Sequence, residues 1–153
     1  MEREKTDYVQ RLEAYVKLHI MYGHYAPFIV TCKSERRRNM DIQEACQRNN
    51  WNLRYENIYY DSAEDLIDRL YDVIDKASEE KHYIWVLNNF DRLDVDVKEK
   101  VLEMIWIKQG DLYGKVCIII SVDSYENLGV RTPLIEKMAR LYYGRRLKLF
   151  GGD

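Results

Sequence analysis

Glycine and proline are scarce in this chain, at seven and two residues of 153. No low-complexity linker and no internal repeat breaks it, so its length fits one domain able to bury roughly two-thirds of its unfolded surface. The three cysteines, Cys32, Cys46 and Cys117, stand far apart. They make neither metal-ligand spacing nor a redox Cys-x-x-Cys pair, and read as small reduced core residues. No apolar run approaches the ~20 residues of a membrane helix, and the opening Met-Glu-Arg-Glu-Lys lacks the apolar core of a secretory signal. These absences lead us to expect a cytoplasmic protein that does not engage membranes. Neither sign of charge dominates: 33% of residues are charged, yet the net charge is −2, so no global basic field advertises nucleic acid. Nucleophilic catalysis has no support either. His24 and His82 have no serine or cysteine elbow beside them, and no G-x-S-x-G occurs.

What is present alternates between helix and strand. Val9, Leu12, Val16 and Ile20 recur at helical spacing over 4–22, an amphipathic helix that should lie within residues 1–24 and pack on the rest. The apolar run at 28–32 predicts a central strand, the loop 33–38 follows, and Asn39 would cap a short helix over 40–49. The mixed stretch 53–60 predicts an edge strand. Asp61-Ser-Ala-Glu64 has the form of a capping box opening a helix over 62–80, with Leu66, Leu70 and Val73 on its buried face. Tyr83 to Leu87 is a strand buried on both faces, Asp94 caps a helix over 95–108, and 116–120 is another fully apolar strand. Thr132-Pro133 starts a helix over 133–142, and 147–150 closes as a second edge strand. Such alternation predicts an α/β three-layer sandwich around a five-stranded, mostly parallel sheet.

The centre of this pattern is His82 to Leu93, H-Y-I-W-V-L-N-N-F-D-R-L. It resembles the Walker B strand of P-loop ATPases, especially the AAA+ group of replication initiators and clamp loaders. There the apolar run is followed by Leu-Asp-Glu, an apolar residue, Asp and a polar-Leu pair. Here Asn88 and Asn89 replace the two acids, and Asp91 keeps the later one. Set against the pattern G-x-x-x-x-G-K-S/T, residues 32–39 read C-K-S-E-R-R-R-N. Arg38 falls at the lysine, Asn39 at the hydroxyl, and both glycines are missing. Without them the loop cannot easily make the left-handed turns that aim backbone N–H groups at a phosphate. Ser121 or Asp123, ending the strand at 116–120, would hold the sensor-1 place.

The resemblance, over about 20–150, implies a P-loop NTPase-like sheet in the order 5-1-4-3-2, although the burial pattern suits a flavodoxin-like 2-1-3-4-5 equally. It implies a degenerate nucleotide pocket of Arg38, Asn39, Asn88, Asn89, Asp91 and Asp123, a finger-like Arg140 at a subunit interface, and no lid domain. A neutral amide lacks the charge that holds magnesium or polarises water, so the implied function is a non-catalytic pseudo-ATPase. It would need no cofactor, and would act by binding a protein partner or a second copy of itself, within DNA replication or other transactions on DNA. Two rivals stay open. One is an α/β enzyme or binding domain in which Asp91, Asp123 and the arginine loop form a phosphate or metal site, with Asp61 as a third carboxylate for a metal. The other is an adaptor gripping nucleic-acid phosphates with Arg36, Arg37 and Arg38. The abundance of Tyr, Glu, Lys, Arg and Ile also suggests a thermophilic source.

Overall fold

The computed structural model describes residues 7–22, 27–59, 61–130, 139–142 and 147–148. Three strands at the apolar runs and one at the mixed stretch form a wholly parallel sheet: β1 (Phe28–Thr31), β3 (Tyr83–Asn88) and β4 (Val116–Val122), with β2 (Asn52–Asn57) from the mixed stretch. β1 and β4 are buried throughout, and β3 from its second residue onward, while β2 at the edge is only half-buried. Helices α1 (Asp7–Tyr22), α2 (Glu35–Asn49), α3 (Ala63–Lys76) and α4 (Val95–Ile107), with the short α5 (Gln109–Leu112), cover the sheet. Successive strand residues point to opposite faces, and the core divides accordingly. Phe28, Val30, Ile84, Val86 and Ile119 pack with α1 and α2. Ile29, Trp85, Leu87, Ile118 and Ile120 pack with α3 and α4. No helix among the described residues is long and apolar enough to cross a membrane.

The strand order is β2-β3-β4-β1, continued by β5 (Ala139–Tyr142) and β6 (Leu147–Lys148). β1 therefore lies beside β4 and not between β2 and β3, which excludes the flavodoxin-like order. The expected five strands are not what forms. Residues 139–142, expected at the end of a helix, instead pair in parallel with β1, joining Ile29 to Arg140 and Val30 to Leu141. The physical reason is non-local: β1 is fully buried, and its second edge needs partners for its N–H and C=O groups. The expected closing strand at 147–150 appears as β6, antiparallel to β5. Thr132, Pro133 and the rest of 131–138 lie outside the described residues.

Two helix starts also differ from expectation. α2 begins at Glu35, because Ser34 is its N-cap and accepts a hydrogen bond from the Arg37 backbone N–H at 3.3 Å. Four residues assigned to a loop are thus its first turn. α3 is capped by Ser62, which accepts from the Asp65 N–H at 3.2 Å, not by Asp61. Asp61 instead accepts from the Tyr59 N–H and pairs with Arg69 at 3.0 Å. α2 ends where Asn50 turns left-handed, with φ of 55°, a conformation asparagine tolerates.

Candidate functional site

Open parallel sheets place their ligand sites outside the carboxyl ends of the strands, where connections leave in opposite directions. Here α2 follows the carboxyl end of β1 over one face, while α4 follows the carboxyl end of β3 over the other, with β4 between the two strands. Into that crevice the first turn of α2 projects Arg38, whose side chain is wholly buried. Its Nε donates to Ser121 Oγ at 2.6 Å. Nη1 donates to the Cys32 carbonyl at 2.6 Å and to Asp123 Oδ1 at 2.8 Å. Nη2 donates to Asn89 Oδ1 at 2.8 Å and to Asn88 Oδ1 at 3.3 Å. A guanidinium carries five N–H donors, and every one has an acceptor. One side chain thereby ties together the ends of β1, β3 and β4.

The amides work in both directions. Asn88 and Asn89 give their oxygens to Arg38 and their Nδ2 groups to Glu35 Oε1, at 2.8 and 3.1 Å. Both also reach Asn57 Oδ1 on β2, at 3.1 and 3.3 Å. Asn89 sits at φ of 63°, a left-handed turn that bends the chain out of β3 into a 3-10 turn over Phe90–Arg92. Its backbone N–H donates to the Ser121 carbonyl at 2.8 Å. The amide of Asn88, then that of Asn89 and the charges of Arg38 and Arg92, hold the Glu35 carboxyl below its ordinary range against the opposing pull of burial. A buried cation is tolerable only when paired and fully hydrogen-bonded. Asp123, whose side chain is 49% exposed, supplies the direct counter-charge, and the two amides relay Glu35 as a second.

The structure thus gathers Arg38, Asn88, Asn89 and Asp123 at one point, with Ser121 among them. Asn39 turns elsewhere, toward Tyr55 on β2, whose hydroxyl burial pushes up to about 12. Asn39 is near enough to oppose that shift, although its Oδ1 and the Tyr55 hydroxyl have no hydrogen-bond partner. Asp91 stands half-buried beside the network, its pKa raised by burial and by Asp123. The carboxylates considered for a metal do not converge, since Asp61 is engaged with Arg69, and no group of three His, Cys, Asp or Glu among the described residues could hold an ion. Arg36 and Arg37 are exposed on α2 while Arg38 is buried, so the three arginines do not share a surface. Arg140 lies in β5, in register with Ile29 and Lys148.

Two members were not foreseen: Glu35 and Asn57, which complete the network. Lys98, 4% exposed on α4, makes a separate contact, donating Nζ to the Leu128 carbonyl at 2.7 Å. Burial lowers the Lys98 pKa, against the charges of Asp91 and Asp94. Recognising α2 as helical from Glu35 onward would have pointed Glu35 and Arg38 to one side, three residues apart. Chemically, the assembly is saturated: Ser121 accepts from a permanent cation, and the guanidinium has no donor left for a phosphate. No protein-family model matches the chain, and no curated protein matches it.

Proposed function

We propose that this protein is a P-loop-type α/β domain of AAA+ descent that no longer hydrolyses nucleotide and acts by binding, as an assembly or protein-interaction module. The observation that carries the reading is Arg38. Standing at the position of the phosphate-binding lysine, it spends all five donors on groups at the ends of the strands that would hold magnesium and the attacking water. The order of the four parallel strands supports the descent, since β4 lies between β1 and β3 as that family's order requires. Transactions on DNA are the setting the resemblance suggests. A nucleic-acid grip by Arg36 to Arg38 has less support, because its third arginine faces inward.

Thermal unfolding with ATP and magnesium tests the reading. Ligand at a hundred times its Kd would stabilise the fold by about 2.7 kcal/mol, a rise of roughly 5–10 °C for a chain of this size. We expect no rise at millimolar ATP. A rise of several degrees would favour a working phosphate site instead.

A further inference from the structure

β2 stands first in the strand order, and no other element among the described residues pairs with its outer side. Asn52 and Ile58 give their N–H groups to the His82 and Asn88 carbonyls. Direction alternates residue by residue along such a ladder, so Leu53, Tyr55 and Asn57 turn their N–H and C=O groups outward. Natural edges are commonly blunted by proline, lysine or a bulge. β2, Asn-Leu-Arg-Tyr-Glu-Asn in unbroken register with β3, has none of these. Leu53 and Tyr55 lie on the α2 face together with Trp51, while Arg54 and Glu56 lie on the α3 side, beside Asp72 and Arg69. Two further features flank the edge on the α2 face. At its start opens a depression of about 690 Å³, with Gln43, Gln47, Trp51 and Leu53 in its lining. Past its end stands Tyr59, 57% exposed, whose hydroxyl accepts from Asn57 Nδ2 at 3.0 Å.

We propose that a second copy of this chain pairs with this edge, the two β2 strands running antiparallel about a two-fold axis at Tyr55. The outward groups restrict the register. With Tyr55 opposite its own copy, Leu53 faces Asn57 of the second chain, and each such pair exchanges two main-chain hydrogen bonds. On the α3 side the same register sets Arg54 opposite Glu56 of the second copy, and symmetry repeats the pair. Sliding to the neighbouring register sets Arg54 against Arg54 in one direction and Glu56 against Glu56 in the other. Like charges directly opposite destabilise a sheet, and larger shifts leave a single bonded pair. α3 beside the edge carries both signs, Asp65, Asp68 and Asp72 with Arg69 and Lys76, so the cross-strand pair selects the contact and no net field does. Glu56 suits the role, since its Oε2 has no hydrogen bond, with Arg54 and Arg69 standing 3.8 and 4.0 Å away. Positions 51 and 59 are equally far from 55, so this register also brings Tyr59 of each chain to the depression beside Trp51 of the other. The contact is isologous and closes at two copies, joining two six-stranded sheets into one. It names the partner of the assembly module proposed above, yet it rests on the sheet edge and not on the crevice. ATP binding would overturn the pseudo-ATPase reading and leave the dimer standing.

Sedimentation velocity of the full chain over about 5–200 µM protein tests it. The expected result is a monomer–dimer equilibrium with no larger species. Arg54→Glu alone and Glu56→Arg alone each set like charges opposite one another, and each should weaken the dimer roughly tenfold or more. An equimolar mixture of these two variants should form mixed dimers, and the double exchange Arg54→Glu/Glu56→Arg should dimerise again. Tyr59→Ser should weaken the dimer without a change of charge, and circular dichroism verifies the folding of every variant. Hydrogen exchange of the wild type gives a readout free of substitutions: the outward Tyr55 amide should gain protection as protein concentration rises. A chain that stays monomeric or assembles beyond two copies would overturn the proposal. So would a dimer indifferent to both single reversals, folded reversal variants that do not recombine, or a Tyr55 amide that exchanges equally fast at every concentration.

Discussion

Replacing Arg38 by alanine removes the donor from five acceptors at once. Asp123 is half exposed and can turn to water, but Ser121 Oγ, the Cys32 carbonyl and the oxygens of Asn88 and Asn89 lose their partner. A buried acceptor left unsatisfied costs roughly 1–3 kcal/mol. Water entering the polar space vacated by the guanidinium would recover part of that. The net loss should then be about 3–5 kcal/mol, the range seen when one partner of a buried ion pair is deleted. For a urea slope of ~2 kcal/mol/M, the unfolding midpoint should fall by roughly 2 M. Arg38→Lys keeps the charge but offers three donors from a single nitrogen in place of a planar fork, so it should lose about half as much. Urea titrations of the three proteins at pH 7, followed by circular dichroism, are the assay. An alanine variant within about 1 kcal/mol of wild type, or a lysine variant equal to it, would refute a bracing role for this side chain.

Other expectations concern single groups. Glu35 has a lowered pKa in the fold, so its charge contributes stability above the unfolded carboxylate pKa of about 4.3, lost as pH falls through the lower folded value. The urea midpoints of wild type and Glu35→Gln should therefore differ at pH 7 and converge as pH drops below 4; a constant difference would contradict this. Burial pushes the Cys46 thiol up to about 12 and raises Cys117 as well, while Cys32 is half-buried. Mass spectrometry after brief alkylation at pH 8 should find label on Cys32 alone in the native protein and on all three cysteines in denaturant. Asn50, at φ of 55°, should accept glycine with little change, while Asn50→Val should lose about 1–2 kcal/mol in the same urea assay.

The strands that were legible are those whose burial shows in local composition. Three unbroken apolar runs became β1, β3 and β4; of the six residues the alignment set in one pocket, Arg38, Asn88, Asn89 and Asp123 meet, while Asn39 turns toward Tyr55. The starts of α2 and α3 were not legible, because a serine cap is a weaker signal than the neighbouring features. Three consecutive arginines read as a solvated loop, and Asp61 with Glu64 mimicked a capping box one residue early. β5 was hidden for a different reason. Leu134, Ile135 and Met138 carry a helical period up to the point where 139–142 pairs with β1, a strand over a hundred residues earlier in sequence. Nor does sequence show how a network shares its bonds: Glu35 and Asn57 matter because both amides reach them, and that depends on the left-handed turn at Asn89.

The Arg38 guanidinium closes the crevice from within, its five donors all engaged. The most direct measurement is the Arg38 Nε–H resonance in a nitrogen-edited NMR spectrum, assigned by its loss in Arg38→Lys and followed while ATP and magnesium are titrated to millimolar concentration. Held by Ser121 Oγ at 2.6 Å in a buried site, that proton should exchange slowly with water and keep its shift throughout the titration. A resonance that is absent through rapid exchange, or that moves in a saturable way as nucleotide is added, would show the donor free to meet a phosphate and would contradict the claim.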